Sequence, residues 1–101
     1  MATEITHRTD VIEELQKCLQ SLGWMAELSP GGGDVYHLWA TKGRRMWLVQ
    51  VPEACSRAVT ATHQQQLDQE AHQIRATAVV AGTQDNACWF ASLRTGRLLE
   101  P

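Results

Sequence analysis

The sequence predicts an α/β domain built on a mixed sheet of about five strands, with elements in the order α-β-β-β-α-β-β. Three observations lead there. Residues 10–22 repeat apolar side chains at helical spacing. Three short runs rich in branched and aromatic residues follow, with only turns between them. A second helical segment then separates the third run from two more. Short turns make the first three strands an antiparallel meander. The helix between strands three and four makes those two parallel neighbours, with a helix on each face of the sheet or both on one.

In the first helix Val11, Leu15, Cys18 and Leu22 recur at i, i+4, i+7 and i+11, with Ile12 and Leu19 beside them. Asp10 serves as N-cap with Glu13 three residues on, Glu13 and Lys17 pair on the wet side, and Gly23 is the C′ glycine. Residues 24–28 form a short strand, and Ser29 to Gly33 a turn or loop. Residues 35–40 are the second strand, 41–44 a turn centred on Lys42 and Gly43. Residues 46–51, nearly all apolar, are a third strand covered on both faces. Pro52 stops that ladder because it has no N–H to donate.

Residues 53–60 read as irregular. The second helix, 62–74, is rich in glutamine and has a thin apolar stripe of Leu67, Ala71 and Ile74, which makes it a surface helix. Residues 76–82 are a fourth strand buried on both sides, 83–86 a turn, 87–93 the fifth strand, and 94–101 a turn-like tail. The expectation is one domain over 1–101, with its core at about 10–93.

Composition narrows the function. The chain has 101 residues and a formal charge of −2, so it is no strongly basic nucleic-acid arm. No apolar run approaches the roughly 20 residues of a membrane helix, and residues 1–10 are polar and unlike a signal peptide. The expected setting is the cytoplasm. Cys18, Cys55 and Cys88 are odd in number and widely spaced, which suits reduced thiols rather than a disulfide framework. His7, His37, His63 and His72 are scattered too, and no His or Cys motif for a metal is present. Gly31-Gly32-Gly33 lacks the following helix and the lysine of a phosphate loop, and no nucleophile elbow occurs.

Several stretches carry a likeness: Glu14-Leu15 through Leu22-Gly23-Trp24, then Gly31-Gly32-Gly33-Asp34-Val35, then Arg44-Arg45-Met46-Trp47-Leu48-Val49-Gln50-Val51. Leu67 through Ala78-Val79-Val80-Ala81-Gly82 and Cys88-Trp89-Phe90 continue it. In this order they resemble the restriction-endonuclease-like fold of the PD-(D/E)xK nucleases, and within it the small archaeal Holliday-junction resolvases. The resemblance implies acids on the second and third strands that hold Mg²⁺ through hard oxygens. It also implies a lysine two residues past the third-strand acid, on the same face, to help activate water. It assigns Asp34 to the first acidic slot and puts Gln50 and Pro52 where the second acid and the lysine belong. The helix acid of the resolvases falls on Ile12, with Glu13 and Glu14 adjacent.

The vestigial candidates are therefore Asp34, Gln50 and Glu14, and no metal site is assigned. Asp34 has a plain role as a turn-forming loop aspartate. Gln50, inside an apolar strand, must find hydrogen-bond partners and is the best hint of a former polar site. Lys42, Arg44 and Arg45 form a basic hairpin tip that could touch phosphates. Trp47 reads as core; Trp39 and Trp89, where they face outward, suit a homodimer contact.

The expected function is a catalytically inactive nuclease-fold domain that binds nucleic acid, as branched or duplex DNA, or protein, as a homodimer needing no cofactor. Two alternatives stand beside it. One is a Mg²⁺-dependent endonuclease whose site is rebuilt with Glu13, Glu14, Glu53 or Lys42. The other is a small inhibitor- or immunity-type protein.

Overall fold

Helix α1 forms because Val11, Leu15 and Leu19, spaced four apart, bury one side of it against the sheet, with Ile12 and Cys18 half-buried beside them. The computed structural model describes residues 3–29, 35–51, 61–85 and 87–101. In it α1 spans Thr3–Ser21, β1 Met25–Leu28, β2 Leu38–Lys42, β3 Arg45–Gln50, α2 Ala61–Gln73, β4 Thr77–Gln84 and β5 Ala87–Ser92. The expected element order is the observed one.

The five strands lie side by side in sequence order, β1-β2-β3-β4-β5. The pairs β1/β2, β2/β3 and β4/β5 are antiparallel and β3/β4 is parallel, as the crossover helix requires. One helix covers each face. On the α1 side, Leu15 and Leu19 pack with Leu38, Ala40, Trp47, Val49, Val79, Ala81 and Phe90. On the other side, α2 sets Leu67 and Ala71 on Leu48 and Ala78. Alternate residues of β3 thus serve two cores, which explains its near-continuous apolar run. The α2 glutamines at 64, 65, 66, 69 and 73 are exposed, as a surface helix demands.

Both helices end in the same hydrogen-bond pattern with different residues at the left-handed position. At α1 the Trp24 N–H donates to Leu19 O at 3.0 Å and Gly23 takes φ 92°. At α2 the Ala76 N–H donates to Ala71 O at 2.7 Å, but Arg75 is the residue at φ 58°. These turns carry Leu22 and Ile74 off the helical stripes expected for them, and both are exposed, at 43% and 47%.

Boundaries differ from expectation for local reasons. Helix α1 starts at Thr3, so Asp10 lies inside the helix and is not its N-cap; the apolar stripe begins only at Val11, and periodicity cannot see a polar turn before it. The β2–β3 hairpin closes on the pair Lys42↔Arg45, which makes Gly43-Arg44 a two-residue loop, with Gly43 at φ 61°. Strand β4 runs on to Gln84, and Asp85 at φ 53° begins the next turn. The tail is not merely turn-like. After a turn at 93–95 it comes back along β5, with a bridge Ala91↔Leu98 and the Leu99 N–H donating to Phe90 O at 2.7 Å. That return covers one sheet edge.

The basic hairpin is woven into this frame. Lys42 Nζ donates to Leu22 O at 2.8 Å, in the turn at the end of α1. The Arg45 guanidinium lies 4.9 Å from the Trp24 ring centroid and 5.1 Å from that of Trp47, and its Nη2 donates to Glu100 O. Trp47 in turn packs on Trp24 and Phe90, with centroids 4.4 and 5.6 Å apart, as a core residue should.

Candidate functional site

Gln50 is the last residue of β3 and the one buried polar side chain among the described residues, 1% exposed. Strand alternation puts it on the same face as Leu48, the α2 side. Its Nε2 donates to Val35 O at 2.8 Å, and since a carbonyl only accepts, that contact orients the amide. Oε1 is left buried with no partner among the described residues. An acceptor in that state costs about 1–3 kcal/mol. Sequence reasoning expected the amide to face a partly wet cleft and to need partners. It has one bond of the several it could make.

His37 lies beside the end of β3, one residue before the Leu38↔Val49 pair at which the β2–β3 ladder ends. The His37 N–H donates to Val49 O at 2.8 Å, and the Val51 N–H donates to His37 Nδ1 at 3.0 Å. An Nδ1 that accepts carries no proton, so the neutral ring keeps its proton on Nε2. Burial lowers the His37 pKa from its ordinary value and favours the same neutral form. The end of β3 therefore holds a neutral amide, on Gln50, and engages a neutral imidazole, His37, through the Val51 N–H.

Sequence reasoning missed His37. It placed this residue on a strand face with Val35 and Trp39 and tested it only for metal-ligand spacing. Counting outward from a Gly43-Arg44 loop pairs Leu38 with Val49 and so brings His37 to the end of β3. Asp34 and Pro52, assigned by resemblance to the first acid and the lysine, lie outside the described residues, as do Glu53, Cys55 and Arg57.

The remaining candidates stand elsewhere. Glu14 is exposed on α1 and close enough to Cys88 of β5 for its charge to act on that thiol. It is thus on the α1 side of the sheet, not the Gln50 side. Ile12 packs on the core, as a position without a carboxylate can. Lys42, Arg44 and Arg45 sit at the start of β3, five residues and about 16 Å from Gln50 along the strand. The hairpin tip and Gln50 are at opposite ends of β3.

Magnesium gives up its water reluctantly and is held by anionic oxygens. Gln50 and His37 bring no charge, and among the described residues no group of three or more His, Cys, Asp or Glu side chains comes together. These residues do not fit a magnesium ion. No helix among the described residues is long and apolar enough to cross a membrane.

A mixed five-stranded sheet with an antiparallel meander, a crossover helix and a helix on each face is the restriction-endonuclease-like fold. The motif resemblance and the tertiary structure thus meet on one fold. Among solved structures, the chain is similar to Hjc, a Holliday junction resolvase from the archaeal hyperthermophile Archaeoglobus fulgidus, with a TM-score of 0.71 and 22% identity over 87% of this chain and 74% of that one. No protein-family model matches the chain, and no curated protein matches it in sequence.

Proposed function

We propose that this chain is a nuclease-fold domain that does not hydrolyse phosphodiesters by the metal mechanism of its structural relatives and works as a binding module. The observation that carries the proposal is that two neutral groups stand at the end of β3. Gln50 is buried with an oxygen that has no partner among the described residues, and His37 is held as a neutral ring by the Val51 N–H. A site of that composition can accept and donate hydrogen bonds but cannot concentrate a divalent cation.

The ligand we favour is DNA, branched or duplex, because the fold is that of a protein named as a Holliday junction resolvase. Arg44, Arg75 and Arg97 are exposed and would supply phosphate contacts. A specific observation favours a second reading, protein binding. Lys42 and Arg45 are engaged by main-chain carbonyls and Arg94 by Asp68, so part of the basic surface is already committed. Along β1, meanwhile, Met25 and Leu28 are 69% and 54% exposed. A homodimer built on the outer strands would cover that apolar edge. The proposed setting is the cytoplasm, where thiols persist reduced.

The test is a gel-retardation and cleavage assay with a four-way junction and a matched duplex at low salt, with Mg²⁺ or Mn²⁺. The expected result is retarded DNA of unchanged length, with affinity falling steeply as salt rises. Cleavage that disappears in Asp34→Ala would establish the nuclease alternative instead. Intact, unretarded DNA together with a stable dimer in sedimentation would shift the reading to protein binding.

A further inference from the structure

The first residues of β3 and β4 lie at one end of the sheet, and basic side chains gather there. The two strands run parallel with Trp47 beside Thr77, so Arg45 and Arg75 each stand two residues before that pair. The hairpin loop places Arg44 at the same end, next to Lys42. The pair Val79↔Ser92 and the Leu93 N–H donating to Ala78 O bring Arg94 alongside the beginning of β4. Arg97 follows in the turn, its carbonyl accepting from the Ser92 N–H at 2.8 Å. Among the described side chains, every lysine and arginine except Lys17 therefore stands at this end. We propose, resting on the DNA-binding reading, that this end of the sheet is the surface that holds the phosphate backbone of duplex DNA, through Arg44, Arg75 and Arg97.

Charge and spacing both suit a polyphosphate. Lys42 and Arg45 donate to main-chain carbonyls, which hold a cation in place without cancelling its charge. Arg94 is compensated by Asp68 at 3.2 Å. Of the acids on α2 and the tail, Glu70 and Glu100 remain against Lys42, Arg44, Arg45, Arg75 and Arg97, so this surface is positive although the whole chain carries −2. From β3 across β4 and β5 to the returning tail is three strand spacings, about 14 Å. A DNA strand presents a phosphate about every 3.4 Å along its axis, so the row spans about four of them. Arg75 adds an observation independent of charge. It closes α2 at φ 58°, the left-handed position that Gly23 fills at α1. Glycine would take this conformation without strain, so an arginine there gives up stability and is kept for what its side chain does. Five steps along β3, about 16 Å, separate this surface from Gln50, and DNA seated here lies away from the groups at the strand's other end.

The test follows binding of the full chain to a short labelled duplex by fluorescence anisotropy over a range of salt, with thermal unfolding beside it. Arg44→Ala, Arg75→Gly and Arg97→Ala should each weaken binding about fivefold to tenfold near 0.1 M salt and lower the slope of log affinity against log salt by about 0.9. Arg44→Lys and Arg97→Lys keep the charge and should bind like the parent, as should Lys17→Ala on the outer side of α1. Arg75→Gly is decisive, because it should bind DNA more weakly while melting at a higher temperature, a combination that no loss of folding produces. A parent that binds the duplex while the three variants match it in affinity and slope would overturn this placement and leave the DNA-binding reading standing. Binding that falls as much in Lys17→Ala as in Arg44→Ala would overturn it too, by showing an effect of total charge rather than of a surface. A parent that leaves the duplex free at low salt would overturn both, and its binding to poly-L-glutamate would then mark the surface as one for acidic protein.

Discussion

Replacing Gln50 by methionine tests whether the amide at the end of β3 is a cost to the fold. Methionine has the same unbranched length, so the side chain fits the space and loses only its polar end. Three contributions decide the sign. Removing the buried Oε1, which has no partner among the described residues, recovers about 1–3 kcal/mol. Losing the Nε2 bond to Val35 O gives back about 0.5–1.5 kcal/mol. Placing a thioether and methyl in the apolar surroundings of Leu48 adds about 1 kcal/mol. The balance is a gain of about 1–2 kcal/mol, a rise in Tm of about 5–10 °C for a domain of this size. Urea unfolding followed by tryptophan fluorescence would show it as a higher midpoint with an unchanged slope. A loss of 1 kcal/mol or more would refute the reasoning, because it would mean that Oε1 is bonded and the amide belongs to a complete network. A gain would mark Gln50 as a residue that costs stability, the usual signature of one kept for function.

Two further predictions concern the same end of the sheet and the end of α2. His37 has a folded-state pKa below its unfolded value of about 6.5. The folded state then binds fewer protons than the unfolded one between those two values, so the stability that the neutral ring contributes is fully present above about pH 6.5 and is lost as pH falls below it. The difference in stability between the parent and His37→Asn, measured by urea titration from pH 8 to pH 5, should shrink toward acid; a difference that is flat or grows would sink the assignment. Arg75→Gly relieves a left-handed position held by a residue with a Cβ, and should stabilise the protein by about 1 kcal/mol in thermal unfolding. An unchanged or lower Tm would show that the Arg75 side chain contributes more than its backbone strain.

Much of the frame was legible because it rests on short-range rules. The α1 stripe at Val11, Leu15 and Leu19, the glycine at 23, and the apolar run through Leu48 and Val49 each declare their role locally. The candidate site was legible only in part. Gln50 stood out because an amide among apolar strand residues is unusual. Its neighbour did not, because two strands had been placed without their register, and an error of one residue in a hairpin loop moves every cross-strand partner. Starting the loop at Gly43 rather than Lys42 is what pairs Leu38 with Val49 and brings His37 to the end of β3.

The same distinction runs through the charges and thiols. Lys42, Arg44 and Arg45 form a basic cluster by sequence, yet the fold gives Lys42 to the α1 terminus and Arg45 to two indoles and the tail. Cys18 and Cys88 look unrelated in the sequence, and the fold packs both against the same core cluster.

By itself the sequence determined the element order, the two-sided burial of β3 and an uncharged amide at position 50, since each is a property of residue type and local period. Only the tertiary structure decided which groups meet: His37 with the Val51 N–H, Gln50 with the Val35 carbonyl, Arg45 with Trp24 and Trp47. Such pairs depend on strand register and helix placement. Those are set by packing of the whole core, a sum over contacts between residues far apart in the chain that no local pattern encodes.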